Sequence, residues 1–124
     1  MGDSKTILVI DDSNTNIVLL EAILSTRGYT TLKAQSVKEA MPIIKNETPQ
    51  LILLDLLMPE VSGFDFLEKV KLDNKLNAIP IIVVSALTDD NIVDKTLELG
   101  AAEFIKKPVD IQTLVNLVEK SLPN

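Results

Sequence analysis

The chain contains no Cys and no His. That excludes thiol nucleophiles, Ser-His and Cys-His pairs, Cys-ligated zinc, HExxH zinc sites and a disulfide framework. Chemistry is left to carboxylates, hydroxyls and lysines, and these stand where apolar runs stop. Thr6-Ile7-Leu8-Val9-Ile10 ends at Asp11-Asp12, Gln50 to Leu54 ends at Asp55, Ile79 to Val84 ends at Ser85, and Glu103 to Lys106 leads into Lys107-Pro108. If these runs are parallel strands, their carboxyl ends share one edge, where open α/β sheets bind ligands. Three carboxylates in one cleft repel, and each tends to hold a proton. A divalent cation relieves them, and Mg²⁺ suits all-oxygen sites that also admit a phosphate. With the metal and Lys107 the site comes close to neutral, so a phosphoryl anion is tolerable there. A carboxylate can then attack phosphorus and form an acyl phosphate.

The elements that would position these groups alternate between two periods. Thr6 to Ile10 is continuously apolar, as strands buried on both faces are. Ile17, Leu20, Ile23 and Leu24 follow helical spacing, with Gly28 as the stop. Tyr29 to Ala34 is a more polar strand and is expected at an edge. Ser36-Val37-Lys38-Glu39 reads as a capping box for a helix to about Asn46. Pro42 interrupts that helix, at about 3 kcal/mol, so a kink or a start near Pro42 is expected. Gln50 to Leu54 is a third strand, and Gly63 to Leu72 a helix with Phe64, Leu67 and Val70 inward. Ile79 to Val84 is a fourth strand, Asp89 to Leu99 a helix closed by Gly100, and Glu103 to Lys106 a short fifth strand. Ile111, Leu114, Val118 and Leu122 mark a last helix. Five strands alternating with five helices imply parallel strands joined by right-handed crossovers, with helices on both faces.

The 124 residues suit one domain, 1–124, and 46% hydrophobic residues suffice for a core. A formal charge of −6 argues against direct nucleic-acid binding. The longest apolar stretches fall far short of the ~20 residues a membrane helix needs, and the polar N-terminus has no signal core. A cytoplasmic protein without membrane association is expected. No GxGxxG or GxxxxGK[ST] follows the first strand, so dinucleotide-binding and P-loop readings fail. Two aspartates there would repel a flavin phosphate. A haloacid-dehalogenase-type phosphatase needs a second acid two positions after its nucleophile, and position 57 is Leu. Asp55 is the hardest carboxylate to dismiss as a surface group, because Leu51-Ile52-Leu53-Leu54 and Leu56-Leu57-Met58 flank it. Taken singly, Asp11-Asp12 reads equally well as a turn and helix cap, Ser85 as a turn residue, Lys107 and Lys106 as surface charges and Phe104 as core. Their joint placement carries the argument.

Four motifs in order carry a resemblance: Ile7-Leu8-Val9-Ile10-Asp11-Asp12; Leu54-Asp55-Leu56-Leu57-Met58-Pro59 with Gly63; Pro80-Ile81-Ile82-Val83-Val84-Ser85-Ala86; and Gly100-Ala101-Ala102-Glu103-Phe104-Ile105-Lys106-Lys107-Pro108. From Thr6 to about Leu122 the chain resembles the receiver domain of two-component response regulators, of the chemotaxis-regulator type. The resemblance implies a flavodoxin-like three-layer sandwich of strand order 2-1-3-4-5. It implies that Asp55 is the phosphoacceptor and that Asp12, Asp55 and the backbone carbonyl of Leu57 ligate Mg²⁺ (or Mn²⁺), with Asp11 acting through water or as support. It implies that Ser85 and Lys107 engage the phosphoryl oxygens, that the Lys107-Pro108 bond is cis, and that Phe104 turns inward when Ser85 shifts. Lys106 has no such role. The implied partners are a sensor histidine kinase or histidine phosphotransfer protein and a downstream output domain or protein. The surface of the fourth helix, fifth strand and fifth helix would face the output. Such a chain is a signalling receiver rather than an enzyme acting on a separate substrate.

Departures from the family pattern are specific. Phe104 replaces the commoner Tyr, and Leu57 and Leu87 are apolar at positions bordering the path of a hydrolytic water. Slow self-dephosphorylation is the expectation. A non-cycling interaction module on the same fold would not require the full set Asp11, Asp12, Asp55, Ser85 and Lys107, and an independent enzyme would require a substrate pocket signature that is absent.

Overall fold

The structure is a computed structural model that describes residues 5–57, 62–86 and 89–122. Met58, Pro59 and Leu87 of the sequence reading lie outside the described residues. The elements in order are β1 (Thr6–Ile10), α1 (Asn14–Ser25), β2 (Thr30–Ala34), α2 (Val37–Glu47), β3 (Leu51–Leu54), α3 (Gly63–Leu72), β4 (Ile81–Ser85), α4 (Asp90–Glu98), β5 (Glu103–Lys106) and α5 (Ile111–Ser121). All strand pairs are parallel, in the order β2-β1-β3-β4-β5. The polar strand β2 is an edge, as its composition requires.

Successive strand side chains point to opposite faces, and the core divides accordingly. Leu8, Ile10, Ile52, Leu54, Ile81 and Val83 pack with Ala40, Ile44, Phe66, Leu67 and Val70 of α2 and α3. Ile7, Val9, Leu51, Leu53, Ile82 and Val84 pack with Ile17, Leu20 and Leu24 of α1 and Leu114, Val115 and Val118 of α5. The unbroken apolar runs of β1, β3 and β4 are therefore the signature of a sheet sandwiched between two helical layers. The chain turns back across β1 between β2 and β3, so the carboxyl ends of β1 and β3 flank the crevice that this reversal opens.

Each helix starts on a side-chain cap. Ser13, Ser36, Ser62, Asp89 and Asp110 accept from backbone N–H groups of the first turns of α1 to α5 respectively. At α2, Glu39 N–H donates to Ser36 Oγ at 3.1 Å while Glu39 Oε1 accepts from Gln35 N–H at 2.9 Å. The box thus closes one residue earlier than the usual reciprocal pair.

Three local expectations are corrected. α2 does not begin near Pro42; it runs from Val37 through Pro42 to Glu47. Pro42 and Lys38 are both exposed, so water can reach the Lys38 carbonyl that Pro42 cannot serve. In α3 the inward stripe is Gly63, Phe66, Leu67 and Val70, with Phe64 only half-buried under the Lys95 ammonium, 4.7 Å from its ring centroid. The i, i+3, i+4, i+7 stripe from Gly63 was readable, but a glycine carries no hydrophobic signal. In α5, Ile111 is 54% exposed and Val115 takes the core position.

Pro42→Ala restores a helical N–H without disturbing a buried contact. It is expected to stabilise the protein by about 1–3 kcal/mol, read as a raised urea midpoint with an unchanged slope.

Candidate functional site at the carboxyl edge of the sheet

The site residues sit one step past the strands, and the ladder itself places them. Asp11 N–H donates to Ala34 O at 3.1 Å, Asp55 N–H to Ile10 O at 3.0 Å, and Lys107 N–H to Ser85 O at 3.0 Å. Each bond extends a strand pairing by one rung, so three backbones are held to the sheet while their side chains emerge at its edge.

The side chains converge. Carboxylate oxygens of Asp11, Asp12 and Asp55 all lie within 4.8 Å of one another. Lys107 Nζ donates to Asp11 Oδ2 at 3.0 Å and to Asp55 Oδ2 at 3.2 Å. The remaining oxygens are also used: Asp11 Oδ1 accepts from Ser13 N–H at 2.9 Å, and Asp55 Oδ1 accepts from Leu57 N–H at 3.0 Å. Asp11 and Asp55 are buried, Asp12 is exposed, and Leu57 presents a half-exposed side chain. The Lys107-Pro108 peptide is cis.

Ser85 is fully buried at the end of β4. In register, Leu54 faces Val83, so Asp55 and Ser85 leave the same edge of adjacent strands. Phe104 lies opposite Val83 on β5 and packs, half-buried, against the α2–α3 core. Lys106, opposite Ser85, is exposed. The structure therefore brings together Asp11, Asp12, Asp55 and Lys107, puts Ser85 on their edge, and keeps Phe104 on the adjoining strand.

Burial pushes the Asp55 carboxyl above its ordinary range; the Leu57 N–H and the Lys107 charge pull the other way, and the Asp11 carboxylate adds to the rise. Burial alone would lower Lys107, but its bond to Asp11 and the two carboxylate charges outweigh that and hold it above the usual lysine value. Among the described residues, one ammonium is thus paired with two of the three clustered carboxylates. An under-compensated, all-oxygen cluster with one exposed member fits a small hard divalent cation.

Two contributors escaped the sequence reading. Ser13 caps α1 with its hydroxyl while its N–H fixes Asp11; the Asp-x-Ser spacing is an Asx turn and was available as a signal. Gln35 Nε2 reaches the Asp12 carbonyl at 3.4 Å, and nothing local announces that contact. Among the described residues, one cavity of about 450 Å³ borders Lys107, and a larger one of about 720 Å³ lies between the end of α2 and the loop after α3. The larger one opens where strands begin, away from the carboxylates.

The sequence profile of the response regulator receiver domain matches residues 7–119. The chain belongs to the response regulator receiver family. Over 118 residues this receiver is 34% identical to the protein PilH of Pseudomonas aeruginosa, covering 94% of this chain and 96% of that one. It is 28% identical to the polar-differentiation response regulator DivK of Brucella ovis, over 96% of this chain and 97% of the relative. A response regulator receiver protein from Pseudomonas putida superposes with a TM-score of 0.89 at 31% identity, covering 97% and 99% of the two chains. The chemotaxis protein CheY4 of Vibrio cholerae shares the fold, with a TM-score of 0.90 at 23% identity over 97% of this chain and all of that one. The receiver therefore has the fold and family that its motifs imply, and it is a signalling module of two-component systems. Among its described residues no helix is long and apolar enough to cross a membrane.

Removing the lysine of this receiver leaves two buried carboxylates facing each other without a cation. Lys107→Met is expected to cost about 2–3 kcal/mol in urea unfolding with chelator present, discounted for its partial exposure. In the double variant with Asp55→Asn most of that loss should return, as a double-mutant cycle would show.

Proposed function

We propose that the receiver is a Mg²⁺- or Mn²⁺-dependent phosphoaspartate switch with Asp55 as phosphoacceptor, within a single receiver domain spanning 1–124. The observation that carries this reading is the ammonium of Lys107 held between two buried carboxylates, with a third beside them. Such a cluster repels an anion until a cation joins it and accepts one afterwards. Asp11, Asp12, Asp55 and the backbone carbonyl of Leu57 would hold the cation, which supplies charge against the phosphoryl oxygens.

The chain's own residues then divide the work. An Asp55 carboxylate oxygen forms a bond to phosphorus as the bond from phosphorus to a donor imidazole nitrogen breaks, and the imidazole leaves with the electron pair. The chain has no His, so the donor lies in another domain or another molecule, such as a sensor histidine kinase or a histidine phosphotransfer protein. Lys107 pairs with a phosphoryl oxygen and offsets its charge. Ser85, at the end of β4, hydrogen-bonds another. Phe104, on the next strand, follows Ser85 and transmits the change to the face of α4, β5 and α5, where a downstream output domain or protein reads it. The added charge biases an existing two-state equilibrium rather than building a new fold. The cytoplasm, where kinase and output meet, is the proposed location.

Incubation with Mg²⁺ and a small phosphodonor should add one phosphoryl mass to the intact protein, and Asp55→Asn or chelator should abolish it. No mass gain and no beryllofluoride-dependent spectral change would reject the switch in favour of a non-cycling interaction module. Leu57 offers no polar group to orient a hydrolytic water. The phosphorylated form should therefore persist for minutes or longer in purified protein, and a lifetime of seconds would contradict this.

A further inference from the structure

Gly63 brings no side chain to the carboxyl edge, yet its backbone touches the segment that carries Asp55. It is buried as the first residue of α3, and its N–H donates to Leu56 O at 3.1 Å. A Cβ built on Gly63 would stand 2.6 Å from Leu56 Cα and 2.9 Å from Asp55 O, with Leu56 Cδ2 at 3.1 Å. The two closest atoms are backbone and cannot rotate away. Gly100 differs: a Cβ there would meet only the flexible methylenes of Lys71, and at Gly28 it would meet open space.

The contact has few ways to relax. On one side, Asp55 N–H is tied to Ile10 O at 3.0 Å, which anchors to the sheet the peptide immediately before the carbonyl that the Cβ would meet. On the other, Phe66, Leu67 and Val70 hold α3 in the core at 1% exposure or less. What can yield is the short stretch from Leu56 to Leu57, the stretch that hooks Asp55 Oδ1 through the Leu57 N–H at 3.0 Å.

We infer that Gly63 is a positioning residue for the divalent cation: its bare Cα sets the Asp55–Leu57 backbone so that the Asp55 carboxylate and the Leu57 carbonyl can serve one small ion. This rests on the Mg²⁺-dependent reading of the site. Mg²⁺ demands near-octahedral oxygens at about 2.1 Å, whereas Ca²⁺ accepts looser geometry at about 2.3–2.6 Å. Displacing the Leu56–Leu57 backbone by a few tenths of an ångström therefore penalises Mg²⁺ more than Ca²⁺. A general loss of stability would not separate the two ions.

The test is a pair of titrations, Mg²⁺ and Ca²⁺, followed by amide NMR shifts of the folded protein for wild type, Gly63→Ala and Val70→Ala. Val70→Ala loosens α3 without touching the Asp55–Leu56 peptide. Gly63→Ala should lose roughly tenfold or more in Mg²⁺ affinity and distinctly less in Ca²⁺ affinity, while Val70→Ala keeps the wild-type ratio. Equal losses for both ions, an unchanged Mg²⁺ affinity, or a Val70→Ala ratio shifted like that of Gly63→Ala would overturn the positioning role and leave the switch standing. Failure of Gly63→Ala to fold even at 5 °C would also overturn it, because the clash would then be spread through the core rather than taken up at the site. A wild type without Mg²⁺-dependent shifts at Asp11, Asp12 and Asp55 would remove the cation reading itself, and this inference with it.

Discussion

Lys107 Nζ lies 3.0 Å from one buried carboxylate and 3.2 Å from another, and the rest of the carboxyl edge is arranged around that ammonium. Two carboxylates so close together, mostly out of water, would repel each other strongly if left alone. The Lys107 ammonium offsets their repulsion at the cost of its own desolvation. It does so without closing the site, because Asp12 stays exposed and has no salt bridge among the described residues. The edge is therefore stable and electrostatically incomplete at the same time, a combination that a simple structural ion pair would not retain.

Holding like charges together requires a frame that does not relax away from them. The extra rungs at Asp11, Asp55 and Lys107 provide it, since each backbone is hydrogen-bonded to a neighbouring strand just past the strand's end. The frame in turn depends on β1, β3 and β4 being buried on both faces. Any slippage of β3 against β1 by one residue would exchange the faces of Leu51 to Leu54 and send Asp55 away from Asp11. The two helical layers thus fix the register, and the register fixes the cluster. Stability of the sandwich and geometry of the site are one constraint seen from two sides.

The parts that were legible in the sequence are those governed by periodicity and by strand ends. Continuous apolar runs announced the central strands, the polarity of Tyr29 to Ala34 announced an edge, and the stops at Asp11, Asp55, Ser85 and Lys107 announced one shared rim. What stayed hidden is instructive. Phe66 was obscured because its stripe begins on Gly63, which has no hydrophobicity to count. Pro42 suggests a kink or a late helix start, and the late start does not occur, because at an exposed position the lost hydrogen bond can be made with water and the capped, amphipathic helix around it prevails. The bond from Leu57 N–H to Asp55 and that from Gln35 to the Asp12 carbonyl depend on loop paths that no residue type specifies. The approach of Gly63 to the Asp55 carbonyl was invisible for the same reason: a motif can show that a glycine recurs beside an aspartate, but only coordinates show what a Cβ would strike.

The burial of Lys107 between carboxylates also constrains how an anion can be accepted. On the phosphoaspartate reading, the lysine that would pair with the phosphoryl group is already committed to Asp11 and Asp55. Swinging it toward an incoming anion in the absence of another cation would leave those carboxylates buried and unpaired, an expensive state. A cation held by Asp11, Asp12 and Asp55 would remove that penalty, because it would supply the neutralisation that the ammonium provides. Metal and lysine would then be exchangeable partners of the same carboxylates, and the first would free the second. A metal requirement for phosphoryl acceptance would follow from this exchange alone, before any effect of the ion on the reacting phosphorus is counted.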